Sequence, residues 1–398
     1  MKRKFKLAYL VSHPIQYQAP LLREISEDHE IDLTVFFCSS SSVQRHFDKG
    51  FGRDIEWDIP LLGGYKHKFL WAYRDKGDPG VFHPLNKGLS KTLKEEKFDA
   101  LWVHGHMRFY HLLSMIKARI NGLIVLNRDE AWKFSAKRQP VKIFAKRLFY
   151  VLLRRVCHGW LVIGSANRDY YLCNGMQKDK IFFVPYSIDN KYFRDRALAA
   201  IPKRAKLREK LFLEPNRQVI LYAAKLLKRK RPNDLIEAFS RLLKNKQIRD
   251  PYLVLVGDGN YRKTLERQVK LLDIETSVRF VGFINQSEIP GYYDLCDVFV
   301  LPSVLEPWGL VINEVMTAGR AIIASDRVGS AQDLVKQGEN GFVFPAGDLV
   351  ALTNSLERII TDKKLSQNMG KRSLEIIENW NFQKDIEGLK ACLRHFLG

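Results

Sequence analysis

Short apolar runs alternate with longer amphipathic stretches along almost the whole chain. Runs at 5–11, 33–37, 100–103, 123–126, 160–163 and 181–184, then at 218–222, 252–256, 278–281, 297–301, 321–324 and 341–344, are rich in β-branched, aromatic or leucine residues and bounded by turn formers. That is the pattern of strands. Between them, segments such as 232–246, 260–272 and 286–295 carry helical spacing. Near-continuous apolar strands separated by helices predict parallel sheets covered on both faces. The rhythm breaks once, from Asp189 to about Asn216, where charges and two prolines, Pro202 and Pro215, replace any strand. Its first part reads as an interdomain linker. The expected fold is therefore α/β, with two Rossmann-like lobes at 1–195 and 205–379. An amphipathic terminal helix, 380–398, is able to pack back on the first lobe.

Composition changes this picture little. At 398 residues the chain has room for two domains, and 46% hydrophobic with 27% charged residues is a soluble globular balance. The opening MKRKFKLAYLVSHP has the look of a signal peptide, but its apolar stretch, 7–11, is too short and His13 and Pro14 end it. No run approaches the roughly 18 apolar residues of a membrane span. The five cysteines (Cys38, Cys157, Cys173, Cys296, Cys392) are scattered, with no C-x-x-C pair. This argues against a disulfide framework or a zinc site and fits a reducing cytoplasm.

Charge adds a constraint. Lysine and arginine outnumber acids 65 to 44, a formal charge of +21. Such an excess calls for an anionic partner: nucleic acid, an anionic membrane face, or phosphorylated substrates. The charges are dispersed, which favours a basic or membrane-facing surface over one compact tract. Segment 137–158 is both basic and apolar, with Arg138, Lys142 and Lys146 at i, i+4 spacing and Ile143, Phe144, Phe149 and Leu152 around them. Such a helix is able to lie on an anionic membrane, at the inner face of the cell membrane; the alternative is a scaffold helix with a basic rim.

The densest chemistry lies at 301–345. A strand runs into a loop holding Pro302, Glu306, Pro307 and Gly309, and a helix starts near Gly309 or Leu310 and stops at Gly319. The carboxyl end of a parallel strand, followed by a helix start, is a natural diphosphate seat, with the amides of Gly309, Leu310 and Val311 as donors. Glu314 falls just over one turn later, where its carboxylate can take ribose hydroxyls. Glu306 stands on the preceding loop, within reach of a transferred sugar. Singly, each carboxylate reads as a solvated side chain; together, in E-P-W-G-L-V-I-N-E, they are far more specific.

This string resembles the E-x7-E signature of family 4 of the retaining glycosyltransferases, which have the GT-B fold. The continuations AGRAIIASDRVGSAQDLV and NGFVFPAGD match the same family. The resemblance implies that Glu314 binds the nucleotide ribose and Glu306 the donor sugar. Trp308 stands where phenylalanine is commoner. In YAAKLLKRKRPNDLIEAF, Ala224-Lys225 replaces the usual Gly-Arg and Lys230-Arg231 the usual Lys-Gly. Lys225 and Lys230 become the candidates for the leaving diphosphate, with Arg229 or Arg231 sharing the role. VGFI at 281–284 resembles the stretch that lines the nucleobase, so Phe283 and Ile284 are candidate base contacts.

The first lobe resembles the family more loosely. His13, in SHPIQYQAP, is expected to line the cleft, and His104, in WVHGHMRFYH, likewise, with His106 optional. In NRDEAW, Asp129 or Glu130 is placed to orient the acceptor hydroxyl and Arg128 to hold a phosphate. The string at 185–193 reads as hinge structure. The implied activity moves a sugar from a nucleotide-diphosphate donor to a glycan or lipid-linked acceptor, with retention, in cell-surface polysaccharide or glycolipid synthesis. No metal or resident cofactor is called for; the nucleotide sugar is co-substrate. The rivals are a nucleotide-sugar epimerase or phosphorylase on the same fold, or a basic nucleic-acid-binding protein. No pyridoxal phosphate lysine motif supports the phosphorylase, and no nucleic-acid module supports the last.

Overall fold

The structure, a computed structural model, describes residues 3–73, 80–134, 140–245, 248 and 250–398. Its contacts divide the chain into two units. The first holds Met1–His46, Ile59–Ile188 and Phe382–Gly398; the second holds Phe47–Asp58 and Asp189–Asn381.

The first unit is built on seven parallel strands: β1 (Phe5–Val11), β2 (Ile31–Phe37), β3 (Lys66–Phe69), β4 (Ala100–His104), β5 (Ile124–Arg128), β6 (Gly159–Val162) and β7 (Ile181–Phe183). Their order across the sheet is β7-β6-β5-β4-β1-β2-β3. Two buried clusters cover its faces. One gathers Tyr9, Val35 and Trp102 with Phe382, Leu389 and Leu393 of the terminal helix. The other gathers Phe36, Val103, Met115 and Trp160. The terminal helix Phe382–Leu397 thus belongs to the first unit. It sits so close to β7 that a Cβ on Gly388 would lie 1.9 Å from the Phe183 carbonyl oxygen, which only glycine allows.

The second unit repeats the plan with six parallel strands: β8 (Val219–Ala223), β9 (Tyr252–Val256), β10 (Val278–Gly282), β11 (Val298–Leu301), β12 (Ala321–Ser325) and β13 (Gly341–Phe344). The order is β10-β9-β8-β11-β12-β13. In both sheets the order reverses once, between β1 and β4 and between β8 and β11. In doubly wound folds ligands bind just beyond the carboxyl ends of the strands at that reversal.

Two differences from the sequence expectation bear on how the chain divides. The stretch read as linker is helical from Asn190 to Ala200 and from Arg204 to Lys210, and both helices belong to the second unit. The Asp189 carboxylate caps the first by accepting from the Tyr192 amide at 2.8 Å. The ribbon Phe47–Asp58, counted with the first lobe on sequence order, belongs to the second unit, where Asn285 and Ser287 hydrogen-bond to Glu56 and Asp58.

Candidate active site

In the second unit the reversal point collects most of the sequence-predicted residues. The chain leaves β8 at Ala223 and reaches Lys225 two residues on; it leaves β11 at Leu301 and runs through the loop to Glu306. Lys230 closes a short 3-10 turn, Lys228–Lys230, and its ammonium contacts the Glu306 carboxylate, both side chains being only 12% exposed. The Glu306 backbone is clamped on both sides, donating to Arg327 O at 3.1 Å and accepting from Gly329 N at 2.9 Å. The loop therefore fixes where the Glu306 side chain leaves the backbone, and Lys230 meets the carboxylate at its end.

Gly309 ends this loop with φ +92°, in the left-handed region. A Cβ there would also meet Leu301, Glu306 and Val328 at 3.1–3.2 Å. Both backbone strain and space demand glycine. Trp308 is buried and donates its indole N–H to Asn313 at 3.0 Å while stacking on Trp380. A phenylalanine fills the same space but lacks that donor, so the tryptophan fastens the loop to the helix it precedes. That helix, Val311–Thr317, begins directly after Gly309 and Leu310. Glu314 lies on it and accepts from the Tyr293 hydroxyl through Oε2 at 2.5 Å. Burial, only partly offset by that bond, pushes Glu314 up to about 7. One of its two oxygens is thus engaged within the protein, leaving Oε1 for a ligand hydroxyl.

Arg231 is placed otherwise than expected. It takes φ +54° at the N-terminus of helix Pro232–Leu243 and pairs its Nε with Asp234 at 2.7 Å. Glycine would hold that backbone without strain; here the arginine is spent on its own helix. Arg229 likewise donates to the Leu305 carbonyl at 3.0 Å, bracing the Glu306 loop. Phe283, just after β10, is half-buried beside Ile284, and its ring meets Phe51 at 4.9 Å and Trp57 at 6.3 Å. A groove of about 490 Å³ elsewhere in this unit, with Arg196, Lys203, Lys206 and Lys210 on its rim, holds none of the predicted residues.

In the first unit, His13 follows β1 and His104 ends β4, again at the reversal point. His13 Nδ1 is 2.8 Å from the Ser12 hydroxyl. His104 Nε2 lies 3.2 Å from Gln18 Nε2 and 3.3 Å from the Tyr186 hydroxyl, which donates to Glu130 at 2.9 Å. Burial and the nearby Arg128 push His104 down to about 3, so its ring is neutral at physiological pH.

Two calls are corrected here. Arg128 is 2% exposed and donates to Val184 O, Pro185 O and Asp385 Oδ1 at 2.8–3.0 Å. It holds the terminal helix rather than a phosphate. Asp129 is buried too and pairs with His106 at 2.5 Å while accepting from Asn127 and from the Ala131 amide. Burial opposes its charge, but His106 prevails and keeps the carboxyl well below the usual range. So strongly held an anion is a poor proton acceptor for an incoming hydroxyl. Glu130, half-buried at the Tyr186 hydroxyl, is the better placed carboxylate. Among the described residues no group of three or more His, Cys, Asp or Glu is arranged to hold a metal.

The family of glycosyl transferases group 1 matches residues 203–375, which span the whole second-unit constellation. The chain is 32% identical over 331 residues to the alpha-D-kanosaminyltransferase of Streptomyces kanamyceticus, covering 80% of each. The chain belongs to the group 1 glycosyltransferases. A second relative, the UDP-Gal:alpha-D-GlcNAc-diphosphoundecaprenol alpha-1,3-galactosyltransferase of Escherichia coli, is 29% identical over 309 residues, 76% of each chain. The crystal structure of Anabaena HepE in complex with UDP and glucose matches the fold with a TM-score of 0.72 at 18% identity, over 98% of this chain and 99% of that one. The enzyme therefore has the GT-B fold, and it is a nucleotide-sugar-dependent glycosyltransferase. Neither the epimerase nor the nucleic-acid reading is favoured by that membership. The contacts that sequence reading missed in this glycosyltransferase are Tyr293 at Glu314, Gln18 and Tyr186 at His104, and Asp48, whose carboxylate meets the Lys225 ammonium at 2.8 Å. Each comes from an element remote in sequence from the residue it serves, so no local spacing announces it.

Proposed function

We propose that this glycosyltransferase is a retaining hexosyltransferase whose donor is held by the second unit. The observation that carries this reading is the convergence of Lys225, Lys230, Glu306, Gly309 and Glu314 on the reversal point between β8 and β11. Glu314 Oε1 takes a ribose hydroxyl. Backbone amides from Gly309 to Val311 and the two lysines take the diphosphate, and Glu306 takes a hydroxyl of the sugar. In the reaction the bond from the anomeric carbon to the β-phosphate oxygen breaks and its electron pair stays on that oxygen. The acceptor oxygen bonds to the same face, and its proton passes to the departing phosphate. Fixed cations where that charge develops are worth roughly 3 kcal/mol each. No resident cofactor enters this scheme. The fold match to a UDP complex makes uridine nucleotides the first donors to try.

The test is a thermal-shift screen with UDP, GDP, ADP, dTDP and CMP. One nucleotide should stabilise the wild type by about 2.7 kcal/mol at 100 times its dissociation constant, and Glu314→Ala should abolish that shift. No shift with any nucleotide ends the reading. A pH series sharpens it. The ribose hydroxyl needs an ionised Glu314, and the free protein holds that group near 7. The dissociation constant should therefore be flat above pH 7 and rise about tenfold per unit below it. Glu314→Gln should leave only the titration of the phosphate itself, near pH 6.

We infer further that the acceptor is glycan or lipid-linked and is met at an anionic membrane surface. Arg138 lies outside the described residues, and the side chains of Lys142, Ile143 and Phe144 are not described. The ammonium of Lys146 lies over the Tyr170 ring. The face of helix Pro140–Val156 that is exposed instead carries Leu148, Val151 and Leu152 among Arg147, Arg154 and Arg155. Apolar and basic groups on one exposed face suit a headgroup layer. The described residues hold no helix long and apolar enough to cross a membrane. Sedimentation with phosphatidylglycerol vesicles should show binding that weakens with salt and with Leu148→Glu plus Leu152→Glu. Equal recovery with neutral vesicles would refute it.

A further inference from the structure

The ribbon Phe47–Asp58 comes from the N-terminal part of the chain, yet its contacts belong to the second unit and centre on two predicted donor residues. Asp48 meets the Lys225 ammonium with both carboxylate oxygens at 2.8 Å. The carboxylate is itself fixed by its own turn, accepting from Gly50 N at 2.7 Å and Phe51 N at 2.9 Å. Burial works to raise its pKa, but Lys225 and these two amides prevail and hold it below the usual range. The Phe51 ring lies 4.5 Å beneath the same ammonium. A Cβ on Gly50 would lie within 2.8 Å of the lysine's Cδ and Nζ, so any other residue there would push the lysine's end away from its present seat. Further along, Phe51, Arg53 and Trp57 surround the Phe283 ring.

A lysine ammonium has three donors, and two of these point at Asp48. A diphosphate arriving at Lys225 meets a cation already neutralised and a fixed carboxylate of its own sign. We propose that Asp48 is the counter-ion Lys225 exchanges for the donor's diphosphate, and that it thereby sets how tightly the nucleotide is held. The ribbon is then part of the donor site, and Asp48 acts through Lys225 as a positioning residue. This rests on the reading of Lys225 as a diphosphate cation. The exchange is reversible: when the nucleoside diphosphate leaves, the carboxylate takes the ammonium back. Arginine at the lysine's position has five donors and accommodates both anions at once, whereas lysine must largely choose.

The sign of one substitution separates this from a structural role. Asp48→Asn keeps an acceptor for the Gly50 and Phe51 amides but removes the charge. Titration calorimetry with UDP, GDP and ADP, each against its monophosphate, is the measurement. Asp48→Asn should tighten the nucleoside diphosphate that binds by about tenfold, with less than a twofold change for the monophosphate. Phe51→Ala, which loosens the ribbon while leaving both charges, should weaken binding or leave it unchanged. Lys225→Ala should weaken the diphosphate and so tests the underlying assignment. Weaker or unchanged diphosphate binding in Asp48→Asn, beside a loss in Lys225→Ala, overturns the exchange and leaves the donor site standing. Equal tightening of monophosphate and diphosphate overturns it too. If Lys225→Ala binds as the wild type does, the donor-site reading itself fails.

Discussion

Lys230→Ala is expected to reduce turnover about 100- to 1,000-fold, the usual cost of losing one fixed donor to a developing oxyanion. Two effects combine. The ammonium no longer stabilises charge on the departing diphosphate, and Glu306, 9% exposed, loses the cation it contacts. A desolvated carboxylate without a partner takes up a proton, which changes what it offers the sugar hydroxyl. Release of nucleoside diphosphate from sugars of the nucleotide selected by thermal shift is the assay, normalised to folded protein. A pure transition-state role lowers kcat and kcat/KM alike. A rise in KM at constant kcat would instead make Lys230 a ground-state anchor. Activity within threefold of wild type would remove Lys230 from the chemistry.

Arg128→Met is the second large effect, on stability rather than turnover. The guanidinium and Asp385 are 2% and 1% exposed, and the arginine also satisfies two backbone carbonyls. Removing one partner of a buried pair costs about 3–5 kcal/mol, because the other is left buried with no counter-charge. Removing both is far milder, so Arg128→Met with Asp385→Leu should recover most of the loss in denaturant titrations. The pH dependence has a definite sign. Burial pushes Asp385 up to about 6 even with Arg128 beside it, and without the arginine it rises further. A carboxyl whose folded pKa is raised contributes stability that is present at low pH and lost as pH climbs through the folded value. The deficit of Arg128→Met should therefore be larger at pH 8 than at pH 5. A deficit independent of pH would mean that lost packing, not the orphaned charge, dominates.

The strands were legible because they are buried on both faces. The runs at 5–11, 252–256 and 341–344 coincide with β1, β9 and β13, and the other nine differ by one or two residues at one end or both. In the two large sheets the missed strand is Lys66–Phe69, an edge strand with its lysines exposed, so no apolar run marks it; the three-residue strands His46–Asp48, Arg53–Ile55, Trp71–Tyr73 and Leu85–Lys87 are too short to announce themselves. In the site, Glu306 on its loop and Glu314 on the helix that follows were found from one local string and its resemblance to a known family. Their partners were not. Tyr293 reaches Glu314 from a neighbouring helix, and Asp48 reaches Lys225 across 177 positions of sequence. Arg128 and Asp129 misled for a related reason. Charged residues after a strand end read as ligand contacts unless a distant partner neutralises them, and Asp385 is 257 positions from Arg128.

The return of the terminal helix to the first unit has a bearing on synthesis. Every residue of the second unit leaves the ribosome before Phe382 does, so the later-made unit is the first able to complete its core. Until the last 17 residues emerge, Arg128 has no carboxylate and the cluster around Trp102 lacks Phe382, Leu389 and Leu393. A released chain ending at residue 381 should accordingly hold a protease-resistant second unit beside a first unit that is still open to cleavage.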